Sequence, residues 1–365
     1  MKVITMGEPQ VIMSNPGSKH DYFAWPTVTR LQNGKIAVVA SGFRRRHICP
    51  FGKTVISYSE DEGKTYTQPA PVIDTVLDDR DGGILPFGKS NVIVTSFNNT
   101  IGFQRSCAQD AYDMAYLDGV SAEEEAQALG ATFRFSNDCG VTFGGLYKSP
   151  VSSPHGPVEL KDGSLLWVGN PLRFVTRSAK DETEDCLEVY RIYPDGSSEY
   201  VSGIENIQAG DRKLFSYEPH AIVLKDGTIL VHIRVEYPGE NGAAYQTFTI
   251  YQTKSSDNGK TWSKPEQILP QLGGSPAHLF MHSSGVLIST YGYREAPYGV
   301  KVMFSKDNGE TWDYGHDIYV NHIGPDLGYP STVELNDGSL LTVFYAHPQE
   351  NEPAVIMQQR WRLEE

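Results

Sequence analysis

One hairpin pattern recurs six times along the chain, and this repetition constrains the fold more than any other feature. Each copy has a polar or proline-containing entry, an apolar strand, a tight glycine turn and a second apolar strand. Such turns between apolar runs are strong hairpin signals. The copies start about 50–75 residues apart, which leaves room for two further strands each, as the blades of a β-propeller require. The copies are residues 23–41, 79–97, 153–170, 217–236, 275–294 and 328–347.

A second repeat, of the form Ser-X-Asp-X-Gly-X-Thr-aromatic, lies between these hairpins. In such a turn the Ser and Asp side chains bind backbone amides and glycine takes a positive φ. The aromatic residue packs between neighbouring strands. A shorter variant, residues 193–196, is interpreted as a degenerate fifth copy. The four full copies are residues 59–66, 136–143, 255–262 and 305–312.

This turn is the Asp box, and through it the sequence resembles the sialidase-type β-propellers over nearly its whole length. The resemblance implies an all-β chain that forms one six-bladed β-propeller domain over residues 1–365. It also implies that the Asp boxes lie on the outer rim and have a structural role rather than a catalytic one. We therefore look for chemistry at the centre of one face.

Two segments outside the repeats have their own predictions. Residues 3–13 are expected to pair with residues 354–364 in one blade, which closes the ring and removes open sheet edges. Residues from about 104 to 130 have a composition that favours helix, with Ser121 before Glu124 as a capping box. This helical insertion in blade two is either a lid over the pocket or a surface decoration.

Composition excludes several classes of function. The net charge is −14 without a basic stripe, so nucleic acids and anionic membranes are poor partners. The sequence shows no leader segment and no membrane-spanning run, and we expect a cytoplasmic protein with no cofactor. The histidines show no metal-ligand spacing. The four cysteines are widely spaced, and we expect them to be reduced: Cys49, Cys107, Cys139 and Cys186.

The hairpins place polar residues at one end of the innermost strands. Residues equally far before and after a hairpin turn lie side by side at its open end, as Glu218 and Arg234 do around Asp226-Gly227. Charged residues that end apolar strands on one face need partners or a ligand, because burying them unpaired is costly. The same rule predicts a central ring of Arg80, Asp81, His155, Glu218, Arg234, His278, Arg294, Tyr329 and Tyr345, with the loop 43–47 that contains Arg46 and His47.

The sialidase resemblance implies roles for part of this ring. It implies that Tyr329 is a nucleophile and that Glu218 is the base that activates it. A phenol ionises near pH 10 and needs such a base at neutral pH. It also implies that Arg234 and Arg294 bind a substrate carboxylate, which matches the planar fork of a guanidinium.

The sequence departs from the family pattern at two positions. Ala24 stands where the family has the first carboxylate-binding arginine, and Arg80 is our candidate to replace that cation. Counting back from the first Asp box, His47 stands where the family has its acid/base aspartate. An imidazole titrates near neutral pH, so we expect His47 to donate the proton.

The sequence thus predicts an exo-acting glycoside hydrolase for a sialic-acid-like or other carboxylated sugar at the end of a glycan. Its partner is a small carbohydrate. A lyase that acts on uronate-containing glycans through His47 and a tyrosine is one alternative, and a non-catalytic carbohydrate-binding propeller is another. Tyr329, Glu218 and His47 are the predicted catalytic residues. The predicted substrate-binding residues are Arg80, Arg234, Arg294, Asp81, His155, His278, Arg46 and Tyr345.

Overall fold

The computed structural model of the protein describes residues 1–172, 185–210, 212–238 and 245–364. Strands dominate these residues. The strands up to residue 205 are β1 (Lys2–Met13), β2 (Tyr22–Arg30), β3 (Ile36–Arg44), β4 (Lys53–Ser59), β5 (Ala70–Ile73), β6 (Arg80–Phe87), β7 (Asn91–Phe97), β8 (Ala131–Ser136), β9 (Leu146–Ser149), β10 (Val151–Ser152), β11 (Val158–Glu159), β12 (Leu165–Pro171), β13 (Asp185–Ile192) and β14 (Ser198–Glu205).

The remaining strands follow the same up-and-down order. They are β15 (Gln208–Ala209), β16 (Arg212–Lys213), β17 (Phe215–Val223), β18 (Ile229–Pro238), β19 (Tyr245–Ser255), β20 (Glu266–Gln267), β21 (Gly274–Met281), β22 (Leu287–Tyr293), β23 (Tyr298–Ser305), β24 (Asp313–Asn321), β25 (Gly328–Glu334), β26 (Leu340–Ala346) and β27 (Val355–Glu364).

The strands form the six blades of a β-propeller, as the hairpin repeat predicts. Blade one is β2-β3-β4-β5, blade two is β6-β7-β8-β9 and blade three is built from β10 to β14. Blade four is β17-β18-β19-β20 and blade five is β21-β22-β23-β24. First strands of neighbouring blades contact one another, as β2 does with β6 and with β25, so these strands surround the central axis. The short β15–β16 hairpin lies between blades three and four in the chain.

Blade six joins the two ends of the chain. Its order is β25-β26-β27-β1, with β1 antiparallel to β27 from the pair Lys2–Glu364 onwards. The predicted pairing of the terminal segments is therefore confirmed. Because β1 from the N-terminal end pairs with β27 from the C-terminal end on the outer side of this blade, hydrogen bonds within one sheet close the ring.

Apolar residues between adjacent blades hold the ring together. Val38 of blade one and Val343 of blade six are fully buried in one such cluster. Val168 of blade three and Val231 of blade four share another. Burial of apolar surface contributes about 25 cal/mol per Å², so these faces supply the main driving force for closing the ring.

The four Asp boxes have one structure. In the last, Ser305 Oγ accepts a hydrogen bond from Gly309 N at 2.8 Å. Asp307 Oδ1 accepts one from Thr311 N at 2.9 Å. The boxes lie where the third strand of a blade ends, and the variant at Tyr193–Gly196 occupies the same place in blade three.

Three short helices connect β7 to β8, where the sequence predicts the insertion. Ser121 and Glu124 form the predicted capping box at the start of the third helix. Among the described residues, none of the helices has the length and apolar character that crossing a membrane requires. Cys49, Cys107 and Cys139 are free thiols, whereas the side chain of Cys186 lies outside the described residues. The helices are α1 (Ile101–Cys107), α2 (Ala111–Gly119) and α3 (Ala122–Ala128).

Candidate active site

Five innermost strands carry a bulge with the same register shift, and in β2, β6, β17 and β25, but not in β21, the bulged residue has a positive φ. In blade four, Tyr217 pairs with Arg234 and His220 pairs with His232, so β17 has one residue more than β18 between these pairs. A bulge of this kind redirects a side chain out of the regular alternation. The four bulged residues with positive φ are Trp25 (55°), Asp81 (48°), Glu218 (48°) and Tyr329 (48°).

The local sequence explains where these bulges form. Proline follows Trp25, Glu218 and Tyr329, and glycine follows Asp81. Proline removes the donor that a regular ladder would need. A positive φ at a bulky residue costs roughly 1–3 kcal/mol, and such strain concentrates at functional sites. The repeated bulge therefore directs four different side chains towards the axis.

The shortest contact among these residues joins blades four and six. The Tyr329 hydroxyl donates a hydrogen bond to Glu218 Oε1 at 2.5 Å. Tyr329 is almost fully buried, and this burial, together with the Glu218 carboxylate, raises its pKa well above the ordinary value. The phenol is thus neutral at rest, with a proton acceptor already in hydrogen-bond contact.

Arg234 connects this pair to a second carboxylate. Its Nη1 lies 2.9 Å from Glu218 Oε2 and 3.4 Å from the Tyr329 hydroxyl. Its Nη2 lies 2.6 Å from Glu236 Oε1. Burial opposes its charge, but the carboxylates of Glu218 and Glu236 outweigh burial and raise the pKa of Arg234. Arg234 is therefore a permanent cation at the centre.

Two guanidinium groups keep unused donors at this site. Arg294 donates from Nε to the carbonyl oxygen of Leu327 at 3.1 Å. Its carbon Cζ lies 5.7 Å from the ring centroid of Tyr329. Arg294 Nη2 and Arg234 Nε are both buried without a hydrogen-bond partner in the described structure. Buried donors of this kind are costly unless a ligand satisfies them.

Asp81 faces the same centre from blade two. Its Oδ1 is buried without a partner among the described residues. Burial raises the pKa of Asp81 to about 7; Arg80 opposes this shift and the charge of Glu218 adds to it. Both the protonated and the ionised form of this carboxyl group are therefore populated near neutral pH.

Arg80 lies against Trp25 rather than against Tyr329. Its Cζ is 4.0 Å from the Trp25 ring centroid, and its Nη1 donates to the carbonyl oxygen of His47 at 3.0 Å. The Trp25 ring centroid is 6.4 Å from that of Tyr329. The Trp25 ring therefore contacts Arg80 and also packs near Tyr329, the candidate nucleophile.

His47 lies at the edge of this group, with its ring 5.0 Å from Trp25. Its Nδ1 is 3.1 Å from Asp326 Oδ1 and 3.2 Å from the Tyr22 hydroxyl. Partial burial lowers the pKa of His47; hydrogen bonding to Asp326 opposes this shift and Arg80 adds to it. Tyr345, a predicted binding residue, donates to the same Asp326 Oδ1 at 3.0 Å.

Three histidines pack together nearer the middle of the inner strands. The rings of His220 and His278 are stacked with centroids 4.5 Å apart, and His155 lies 4.8 Å from His278. Burial lowers the pKa of His220 to about 3 and the pKa values of His155 and His278 well below the ordinary value. In the described part of the chain, His, Cys, Asp and Glu form no group of three or more that could hold a metal ion.

Arg46 lies apart from the central group. It forms an ion pair with Asp113 of α2, and Arg45 pairs with the same carboxylate at 2.6 Å. Arg45 also pairs with Asp110, the residue before α2, at 2.5 Å. The helical insertion therefore anchors the loop that carries His47.

The sequence prediction omitted several residues of this group. Trp25 occupies the same position before proline as Glu218 and Tyr329, a pattern visible in the sequence. Glu236 lies two residues after Arg234 on one strand, and this period places both on one face. Asp326 lies in a loop, where no repeat or alternation identifies it.

Comparisons with known proteins agree with this architecture. A family profile described as "BNR repeat-like domain" matches residues 203–343. No curated protein sequence matches the chain.

Several solved structures share the fold over almost the whole chain. A Dyadobacter fermentans protein of unknown function is 19% identical, with a TM-score of 0.75 and 99% of each chain covered. The NanB sialidase of Streptococcus pneumoniae is 13% identical, with a TM-score of 0.67 over 98% of this chain and 71% of its own. An α-L-arabinofuranosidase of Fusarium graminearum is 12% identical, with a TM-score of 0.61 over 100% and 99%. At these identities the likeness is one of fold.

Proposed function

We propose that this six-bladed propeller, whose fold is like that of a sialidase and part of which matches a BNR repeat-like profile, is an exo-acting glycoside hydrolase for a carboxylated sugar such as a sialic acid. Tyr329 is the nucleophile and Glu218 is its base. Arg234 and Arg294, with Arg80, bind the sugar carboxylate, and His47 is the proton donor. The observation that carries the proposal is the 2.5 Å hydrogen bond from Tyr329 to Glu218.

The environment of that hydrogen bond supports a nucleophilic tyrosine. A buried phenol with a raised pKa does not ionise by itself at neutral pH. The adjacent carboxylate can accept its proton as the phenol oxygen attacks. Arg234, 3.4 Å from the same oxygen, stabilises the negative charge that develops there.

The unpartnered donors of Arg234 and Arg294 support an anionic substrate. Both are cations with a buried N–H group, and a carboxylate would satisfy both groups at once. A neutral sugar would leave Arg294, which forms no ion pair among the described residues, without an anionic partner, and an unpaired charged donor costs more than an unpaired neutral one. This is why we propose a carboxylated sugar rather than a neutral one.

The proposed reaction has two steps. Tyr329 attacks the anomeric carbon while Glu218 takes the phenol proton. The glycosidic bond breaks, and the leaving oxygen takes a proton from His47. Water then attacks the anomeric carbon while His47 removes a proton from that water. The bond between this carbon and the Tyr329 oxygen breaks, and Glu218 returns its proton to that oxygen. The product is the free sugar.

One observation favours a second candidate function, a lyase for uronate-containing glycans. His47 has a lowered pKa and lies 3.2 Å from the Tyr22 hydroxyl, so a neutral base and a phenol are already adjacent. A lyase would use His47 to remove the proton next to the carboxylate and a tyrosine to protonate the leaving oxygen. Its product contains a new carbon–carbon double bond.

A substrate panel with product identification tests the proposal. Aryl α-sialosides, β-uronides and α-L-arabinofuranosides are incubated with the protein, and the products are identified by mass spectrometry. Hydrolysis of a carboxylated glycoside is expected, with a loss of at least about 10³-fold in kcat for Tyr329→Phe. A fluorinated analogue that slows the second step should label the peptide containing Tyr329.

Tyr314→Phe is the matched control, because Tyr314 is an exposed tyrosine on β24. It should retain full activity. An unsaturated product instead of a free sugar would establish the lyase, and binding without any product would establish a non-catalytic module. Full hydrolytic activity in Tyr329→Phe would eliminate the nucleophile assignment.

A further inference from the structure

A single carboxylate at the edge of the site forms hydrogen bonds with four side chains. Asp326 follows β24 in the chain and precedes β25. Its Oδ2 accepts a hydrogen bond from the Tyr22 hydroxyl at 2.9 Å and lies 2.9 Å from His347 Nε2. Its Oδ1 accepts one from the Tyr345 hydroxyl at 3.0 Å and lies 3.1 Å from His47 Nδ1.

The second histidine of this cluster, His347, has both ring nitrogens next to acceptor oxygens, which favours its cationic form. Its Nδ1 lies 2.6 Å from the carbonyl oxygen of Glu352, and a carbonyl can only accept, so Nδ1 carries a hydrogen. Its Nε2 faces a carboxylate oxygen and carries the other. Hydrogen bonding to Asp326 raises the pKa of His347. The charge of Asp326 is therefore balanced by His347 and not by His47.

The hydrogen bonds also fix the tautomer of His47. The Tyr22 hydroxyl uses its only hydrogen on Asp326, so towards His47 it can only accept. Both oxygens near His47 Nδ1 are thus acceptors, and Nδ1 carries the hydrogen. Nε2 keeps its lone pair and has no protein partner among the described residues. The side chain is 47% exposed, so Nε2 is open to a ligand.

The backbone of His47 is fixed as well. Its carbonyl oxygen accepts hydrogen bonds from Arg44 Nη2 at 2.8 Å and from Arg80 Nη1 at 3.0 Å. Arg44 is fully buried and pairs with Asp78 at 2.6 Å. A half-exposed imidazole held at its ring, at its carbonyl and against Trp25 is positioned far more firmly than a surface histidine.

We propose that Asp326 is a positioning residue that holds His47 with Nδ1 protonated and Nε2 directed to the leaving oxygen of the substrate. In this arrangement His347 balances the charge of Asp326 so that His47 remains free to gain and lose a proton. This inference rests on the proposed function for the chemical step, but the state of His47 is measurable without it.

The charges around His47 determine how its titration responds to substitution. Asp326 faces it from the loop before β25 and Tyr22 faces it from β2, and Tyr345 of β26 donates to the same oxygen of Asp326. Arg44 and Arg80 face it from β3 and β6, and His347 reaches it only through Asp326. Removing the negative charge of Asp326 should lower the pKa of His47. Removing the positive charge of His347 should raise it, because Asp326 then has no other cationic partner.

Nitrogen-15 NMR titration of the intact protein tests the positioning role without any substrate. In the wild type, His47 should show the Nδ1–H tautomer when neutral and a pKa below 6.5. Asp326→Asn should reduce the population of that tautomer and lower the pKa, and His347→Gln should raise the pKa. A His47 in the Nε2–H tautomer, or a pKa unchanged by both variants, would overturn the proposal.

The pH dependence of hydrolysis is the second readout. Only protonated His47 can donate, so kcat should fall as the pH rises through the pKa of His47. The midpoint should move to lower pH in Asp326→Asn and to higher pH in His347→Gln. For Asp326→Asn we expect a roughly 10–100-fold lower kcat with little change in KM, since the substrate anion is bound elsewhere.

Asp313→Asn is the matched control, because Asp313 forms a comparable ion pair with His316 at 2.9 Å on the outer strand of blade five. It should alter neither the titration of His47 nor the activity. If no substrate is hydrolysed, the proposed function fails while the NMR result still decides the positioning role. If Asp326→Asn does not fold, His347→Gln provides the test alone.

Discussion

The outer Asp boxes and the inner bulges are both repeated around the ring. The boxes repeat their side chains as well as their backbone, whereas the bulges repeat the backbone alone. In the boxes, residue types and hydrogen bonds recur together, as Ser255 and Ser305 each accept from a glycine N–H four residues later. In the bulges the backbone recurs while the side chain changes, as Glu218 and Tyr329 share a φ of 48°. The repeat that keeps its side chains has a structural explanation in its hydrogen bonds, whereas the repeat that varies them is where we propose that the chemistry takes place.

The largest expected effect lies in the inner bulges and concerns activity. Glu218→Gln keeps the shape of the side chain but removes the proton acceptor of Tyr329. We expect kcat to fall about 10²–10⁴-fold, whereas the unfolding free energy should fall much less in proportion, because Glu236 still pairs with Arg234. Steady-state kinetics and urea unfolding of the same preparation check both statements. Comparable losses of stability and activity would show that the bulge is structural, like the Asp boxes.

The next effect concerns the buried histidines between the inner strands. Burial lowers the pKa of His220 to about 3, whereas an unfolded histidine titrates near 6.5. Below pH 6.5 the unfolded chain gains a proton that the folded chain excludes, so the contribution of His220 to stability falls as the pH falls towards 3. Between pH 7 and pH 5 the loss is about 2 kcal/mol.

Comparison with a variant separates the contribution of His220 to stability from that of other groups that titrate between pH 7 and pH 5. His220→Gln should lose about 2 kcal/mol less unfolding free energy than the wild type between pH 7 and pH 5. His322→Gln, at an exposed position before β25, should follow the wild type. Parallel stability curves for all three proteins would mean that His220 is protonated in the folded state.

A smaller effect is expected in the outer repeat. Ser305→Ala removes the acceptor of the buried Gly309 N–H and one donor to Asp307. We expect a loss of about 1–2 kcal/mol in unfolding free energy with no change in kcat. Urea unfolding and kinetics measure the two quantities. A decrease in kcat without a loss of stability would contradict the structural role of the Asp boxes.

The sequence predicts the fold well because the fold is repetitive. The six hairpins and the four Asp boxes all indicate the same unit, a four-stranded blade. The apolar residues of the two terminal segments predict that they pair in the last blade. The grouping of Glu218, Arg234, Arg294 and Tyr329 also follows from hairpin geometry. Their chemical roles stay predictions.

Other features lie beyond such patterns. The loop residue Asp326 has no repeat partner, so its four hydrogen bonds emerge only from the three-dimensional arrangement. The ion pair of Arg46 with Asp113 depends on how a non-repeated insertion packs. Arg80, chosen to replace an absent cation, stacks on Trp25, whose side-chain direction depends on a bulge. Sequence periodicity predicts side-chain directions in regular strands. The positions of these residues depend instead on a loop, an insertion and a bulge, where that periodicity does not apply.

The same type of substitution, Asp→Asn, should have opposite effects on stability in the two repeats. The pKa of Asp81 is raised to about 7, mainly by burial, so its contribution to stability is full below about pH 4 and is lost as the pH rises through 7. Asp81→Asn removes this loss, so it should be more stable than the wild type at pH 8.

The pKa of Asp307 in the outer Asp box is lowered to about 2, chiefly by its hydrogen bond from Thr311, so ionisation of this carboxyl stabilises the fold. Asp307→Asn should therefore be less stable than the wild type at pH 8, where Asp81→Asn is more stable. Thermal unfolding at pH 8 and pH 4 compares the two variants. Asp81 is a predicted substrate-binding residue, so Asp81→Asn should also raise KM. Destabilisation by both substitutions at pH 8 would place Asp81 among the structural carboxylates.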